Sequence, residues 1–238
     1  MSNNWFEFKQ FKVHQQLAAM KVGTDGVLLG AWAPADNAQS ILDIGCGTGL
    51  IALMMAQRNL VAQIDSVEIE SQAYQQACFN YENSKWNSRL NCVNQSIQDY
   101  ANTTSSKYDL IVCNPPFFQN SLKSPLEMRT FARHTNVLPF DELADSIHKL
   151  LNEKGVFSFI LPTLNAQNLQ KELSRYGLTV FNSCGVKPTL SKEPHRSLCS
   201  VSKEAHEPIY SELTIETETR HRYTNEYKQL TRDFYLAF

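Results

Sequence analysis

The sequence predicts an α/β fold, a mostly parallel sheet with helices on both faces that closes in a C-terminal antiparallel hairpin. Three observations predict it. Short β-branched or apolar runs at 40–45, 63–69, 90–95, 108–113 and 155–161 alternate with segments of helical periodicity, the pattern of parallel strands joined by crossover helices. Two later strand-like runs, LTVFNSCGVKP and HRSLCSVSK, are joined by a loop too short for a crossover helix, so they pair as a hairpin. Between the first strand and the first helix stands LDIGCGTGL (42–50), a glycine loop at the point where open α/β sheets bind ligands.

Each element has its own signal. TGLIALMMAQR is apolar almost all round, as expected of a helix packed on a sheet. After the second strand, Ser71 is the expected N-cap of a helix that places Ala73, Ala77 and Tyr81 on one face. NTTSSK (102–107) reads as a surface loop before the fourth strand. Leu143, Ile147 and Leu151 form a helical face ahead of Gly155, and Leu169, Leu173 and Tyr176 another ahead of Gly177. The tail reads as a strand, SELTIETE, then a helix with Tyr227, Leu230 and Phe234 on one stripe.

Composition bounds the function. With 238 residues, 42% of them hydrophobic, the chain is expected to form a single domain, 1–238, with residues 1–36 an extension ahead of a core at 37–238. The six cysteines are widely spaced without a C-x-x-C pair, which points to buried thiols in a reducing compartment and away from a disulfide framework or zinc site. The start of the chain lacks an apolar signal core and no run is long enough to cross a bilayer, so a cytoplasmic location is expected. A net charge of −2 requires any nucleic-acid surface to be a local patch.

The glycine spacing is Gly45-x-Gly47-x-Gly49, followed by Leu50 where a dinucleotide fingerprint wants a small residue, and no Walker lysine follows. An acid on the preceding strand, Asp43, with no basic residue nearby, suits a ligand that carries positive charge and no phosphate. S-adenosylmethionine, a sulfonium with an α-amino group, fits. Glu68, at the end of the second strand, is placed to accept both hydroxyls of a ribose. Three glycines alone also suit a plain tight turn, and Glu68 a solvated strand end; strand, loop, helix and distal acid in register favour the ligand.

LDIGCGTG, VEIE and NPPF, in this order, resemble the signatures of class I S-adenosylmethionine-dependent methyltransferases, whose Rossmann-like α/β fold is a seven-stranded sheet with a terminal hairpin. The resemblance implies that Gly45, Gly47 and Gly49 lie under the cofactor, Asp43 near its methionine end and Glu68 on its ribose. Ile69 and Ile97 would flank the adenine, with Asp99 at its amino group. Residues 114–117 would then adjoin the reacting methyl. The lone pair of a conjugated amino group is delocalised, and two acceptors on its N–H protons turn it into an aimed nucleophile. The Asn114 side-chain oxygen and the Pro115 carbonyl are the expected acceptors, Phe117 stacks on the planar group, and the prolines fix the backbone that aims them. This chemistry needs no strong base, so His14, His134 and His195 receive no catalytic role.

NPP(Y/F) enzymes act on adenine N6, guanine N2 or a protein glutamine amide, and flanking stretches choose among them. FKQFKVHQQLAAMKVGTDGVLLGAW (8–32), NPPFFQNS (114–121), RTFARHT (129–135) and the closing RDFYLAF resemble bacterial tRNA (adenine-N6)-methyltransferases that modify the adenosine 3′ of the anticodon of a valine tRNA. That resemblance implies a tRNA anticodon stem-loop as partner and a segment from Gln15 to Trp32 that helps close over the cofactor. It also implies substrate contacts by Phe118, which stands where the family often has Tyr. Lys123, Arg129 and Arg133 would approach RNA phosphates, as would Lys9, Lys12 and Lys21, with Lys187, Lys192 and Arg196 as further candidates. A release-factor glutamine methyltransferase, an rRNA guanine-N2 methyltransferase and a non-catalytic S-adenosylmethionine-binding protein remain the alternatives. A monomer without metal is expected.

Overall fold

In a computed structural model, residues 3–116, 138–204 and 206–238 of the chain are described. Phe117, Phe118, Lys123, Arg129, Arg133 and His134 lie outside them. In chain order the elements are β1 (Trp5–Glu7), β2 (Lys12–His14), α1 (Thr24–Trp32), β3 (Ser40–Ile44), α2 (Leu50–Arg58), β4 (Gln63–Glu68) and α3 (Ser71–Glu82). There follow β5 (Leu90–Asn94), α4 (Ile97–Thr103), β6 (Tyr108–Cys113), α5 (Phe140–Leu150), β7 (Leu151–Pro162), α6 (Thr163–Ser174), β8 (Thr179–Thr189), β9 (Arg196–Ser202), β10 (Ile209–Glu216) and α7 (Asn225–Thr231).

The main sheet has eight strands in the order β10-β8-β9-β7-β6-β3-β4-β5. Strands β3 to β7 are mutually parallel, and β9 enters antiparallel between β7 and β8, which gives the expected hairpin. The eighth strand corrects the expected seven: the SELTIETE run, β10, pairs parallel with β8 at the sheet edge, where α7 packs against it. Strand β3 feeds alternate side chains to two cores. Ile41 joins the one built by α1, α2 and α3, and Leu42 joins the one built by α4, α5 and α6. Burial on both faces explains why these strands read as continuous apolar runs without polar alternation.

Local boundaries depart from the sequence reading where side chains compete. Glu70, not Ser71, caps α3: its carboxylate accepts from the amides of Gln72 at 3.2 Å and Ala73 at 2.7 Å, while Ser71 Oγ donates to Asn94 at 3.0 Å. A carboxylate offers two acceptors to the orphan amides of a first turn, and Ser offers one. Leu151 opens β7 instead of closing α5, and α4 runs on through Thr103, so the loop ahead of β6 starts at residue 104. Phe234 lies beyond the end of α7 yet is buried with Tyr227. All six cysteines are free thiols, four of them buried.

Candidate active site

A cavity of about 690 Å³ opens at the C-terminal ends of β3, β4 and β6. Register builds it. Ile44 pairs with Cys113 across β3 and β6, so the glycine loop that follows Ile44 and the Asn114-Pro115 step that follows Cys113 leave the sheet side by side. Gly45, Gly47, Glu68, Ile69, Ile97 and Asn114 all line the cavity, with Pro115 and Pro116 beside them.

The glycines divide into two roles. All three adopt positive φ, at 66°, 56° and 79° for Gly45, Gly47 and Gly49, a region where a side chain is strained. A Cβ built on Gly45 or Gly47 would meet nothing within 4 Å, so both present bare backbone to the cavity. A Cβ on Gly49 would fall 2.4 Å from Tyr81 Cε1; this glycine caps α2 and admits α3 against the loop.

Glu68 is 7% exposed and accepts the Gly47 amide on Oε2 at 2.8 Å and the Glu70 amide on Oε1 at 2.9 Å. Each carboxylate oxygen has a second lone pair, enough for the two hydroxyls of a ribose. Asp43 is fully buried beneath the loop, off the cavity wall. Its Oδ2 accepts the Ala52 amide at 3.1 Å, holding the first turn of α2, and among the described residues its Oδ1 meets no donor. Burial pushes the Asp43 carboxyl up to about 7, against the Ala52 hydrogen bond and helped by the Glu68 charge. A cationic group approaching the loop would favour its ionised form. Among the described residues that line the cavity none is Lys, Arg or His. The donor set therefore fits a diol-bearing, positively charged ligand and offers no side-chain cation to a phosphate.

Other expectations are redistributed. Asp99 is exposed and off the wall: Ser96 Oγ donates to its carboxylate at 2.6 Å and accepts its amide at 3.1 Å, a reciprocal cap that opens α4. Ser96 and Gln98 take the wall in its place, and Gln98 Nε2 donates to Glu142 Oε2 at 2.6 Å across the cavity edge. Neither Gln98 nor Glu142 was legible as a site residue; in sequence Glu142 is one more acid in a helix first turn. Ala18, Ala19 and Met20 also form wall, from the segment expected to close over the ligand. Four of the basic residues expected near RNA have partners within the chain. Lys9 donates to the carbonyls of Arg232 and Phe238, Lys12 pairs with Glu7 at 3.7 Å, Lys187 with Glu212 at 2.6 Å and Arg196 with Asp25 at 2.9 Å.

Among the described residues no group of three potential metal ligands occurs, and no helix is long and apolar enough to cross a membrane.

Comparison with known proteins agrees with this geometry. Residues 19–138 match the methyltransferase small domain family. A Flavobacterium psychrophilum protein named tRNA1(Val) (adenine(37)-N6)-methyltransferase is 46% identical over 232 residues, spanning 97% of this chain and 99% of its own. A Trichodesmium erythraeum protein of the same name is 44% identical with both chains fully covered. Among solved structures, an Agrobacterium tumefaciens protein described as a predicted O-methyltransferase shares the fold at a TM-score of 0.67 and 15% identity, over 88% of this chain and 96% of its own. Cavity, fold and near-complete coverage of these relatives agree: the chain belongs to the tRNA1(Val) (adenine(37)-N6)-methyltransferase family, within the methyltransferase small domain group.

Proposed function

We propose that this protein methylates the exocyclic N6 amino group of adenosine 37, next to the anticodon of a valine tRNA, with S-adenosylmethionine as methyl donor. The observation that carries the reading is the juxtaposition of Asn114 and Pro115 with the bare glycine backbone of Gly45 and Gly47 in one cavity, in a chain 46% identical to a protein named for that reaction. When bound, S-adenosylmethionine supplies an electrophilic methyl on a sulfonium.

The chain's own residues prepare both partners. Gly45 and Gly47 admit the methionine part against bare backbone, Glu68 takes the ribose hydroxyls, and Ile69 and Ile97 form apolar surface for a purine. The Asn114 carboxamide oxygen and the Pro115 carbonyl accept the two N–H protons of the target amine, which localises its lone pair towards the methyl. Pro115 and Pro116 hold φ near a fixed value, so both acceptors keep their aim. The amine acidifies once alkylated and loses its proton to water, so no side-chain base is assigned. Phe117 and Phe118 are proposed to stack on the flipped base, and Lys123, Arg129 and Arg133 to meet anticodon-loop phosphates. We further propose that the enzyme acts as a monomer in the cytoplasm.

The test is incubation with methyl-labelled S-adenosylmethionine and, separately, tRNA lacking this modification, ribosomal RNA and release factors. Label in N6-methyladenosine of valine tRNA is expected. Label confined to protein glutamine or to guanosine would overturn the substrate assignment.

A further inference from the structure

The segment that carries Ala18, Ala19 and Met20 onto the cavity wall is held by buried amide side chains. Asn80 and Gln76 lie one helical turn apart on the inner face of α3, at 1% and 2% exposure. Asn80 Oδ1 accepts the His14 amide at 2.9 Å, and its Nδ2 donates to the His14 carbonyl and to the Thr48 carbonyl, each at 2.8 Å. Thr48 sits in the glycine loop between Gly47 and Gly49. Gln76 Oε1 accepts the Leu17 amide at 3.0 Å, and Gln15, also buried, accepts the Val22 amide at 2.9 Å. Residues 14–22 thus form a strap fastened to α3 at His14 and Leu17, with Val22 tied back to Gln15 within it, and among these carboxamides Asn80 alone also reaches the loop.

We infer that Asn80 is a positioning residue for cofactor capture: one carboxamide fastens the strap and the glycine loop to α3, so that floor and cover of the cavity order together. The chemistry supports this role. A loop with successive positive-φ glycines has few internal hydrogen bonds, and the buried Thr48 carbonyl would be left unpaired without Asn80. The remaining two bonds copy a strand pairing onto His14, fixing where the strap leaves β2. Among the described residues Gln76 binds the strap only, which gives an internal control. The inference rests on the S-adenosylmethionine reading of the cavity for its ligand but not for the clamp itself.

The experiment is backbone hydrogen exchange on the ligand-free protein, followed by calorimetric titration with S-adenosylhomocysteine. Asn80→Ala is expected to speed exchange in residues 14–22 and 45–50 together, and to weaken S-adenosylhomocysteine about tenfold, the loss of one or two buried hydrogen bonds. Gln76→Ala is expected to loosen the strap and leave the loop as in the wild type. Faster exchange spread evenly over the chain in Asn80→Ala, or an unchanged loop, overturns the clamp. Should Asn80→Ala not fold, the wild type decides: saturating S-adenosylhomocysteine must slow exchange in both segments, and protection of the loop alone overturns it. Failure of the wild type to bind S-adenosylhomocysteine is the separate sign that the cofactor reading is wrong, since the ligand-free exchange pattern does not depend on it.

Discussion

Glu68 Oε2 accepts the Gly47 amide at 2.8 Å, which ties the acid at the end of β4 to the glycine loop at the end of β3. One side chain therefore shapes the cradle and offers the ligand its diol acceptors. Glu68→Ala removes acceptors from two amides and is expected to cost roughly 1–3 kcal/mol of stability, with S-adenosylmethionine affinity reduced at least tenfold. Glu68→Gln keeps one acceptor and should recover stability more than affinity. Urea unfolding and calorimetry separate the two; affinity untouched in the alanine variant would remove Glu68 from the site.

Gly47 and Gly49 should respond differently to the same methyl group. Gly49→Ala drives a Cβ to 2.4 Å from Tyr81 at φ 79°, so stability is expected to fall by about 2–4 kcal/mol as α3 is pushed off the loop. Gly47→Ala meets open cavity and adds only the backbone cost of about 1 kcal/mol, but it occupies ligand space, so cofactor affinity should fall first. Equal unfolding midpoints for the two variants would contradict this division.

Asp43 is expected to make stability fall as pH rises. A carboxyl whose folded pKa lies above its unfolded value favours the fold when protonated, so its contribution is complete below about pH 3.8 and is lost as pH climbs through about 7. The difference amounts to a few kcal/mol. Asp43→Asn keeps an acceptor for the Ala52 amide and should flatten this slope between pH 4 and 7. Parallel stability curves for wild type and variant would show that Asp43 does not titrate there.

Asn114→Ala is expected to lower methyl transfer about a hundredfold or more at saturating cofactor, the usual effect of removing one preorganised hydrogen-bonding group from a transition state. S-adenosylmethionine affinity should stay within about twofold, because the predicted partner of Asn114 is the target amine. A loss of affinity matching that of Glu68→Ala would reassign Asn114 to the cofactor.

The strands, the hairpin, the three-glycine loop and the Asn-Pro-Pro step were legible because each rests on neighbours in sequence. β-branched runs buried on both faces stay apolar, only glycine adopts φ of 56° to 79° without strain, and proline fixes its own φ. Glu68 was legible for a related reason: the end of a parallel strand beside a glycine loop has one place to point. Asp43 and Asp99 carried the same chemical signal as Glu68, yet one is buried under the loop and the other accepts from Ser96, the N-cap of its own helix.

The sequence by itself therefore determined the order of elements, the position of the cavity at the ends of β3, β4 and β6, and the bare backbone that floors it. Only the tertiary structure decided which acid faces the cavity, that the tail adds an eighth strand, and that Lys187 pairs with Glu212 and Arg196 with Asp25. It also decided that Asn80 joins His14, across a separation of 66 residues, to the glycine loop. A backbone conformation is limited by sterics between adjacent residues, whereas a polar side chain takes whichever of several partners the packed chain brings within about 3 Å, and that competition is settled only when distant segments meet.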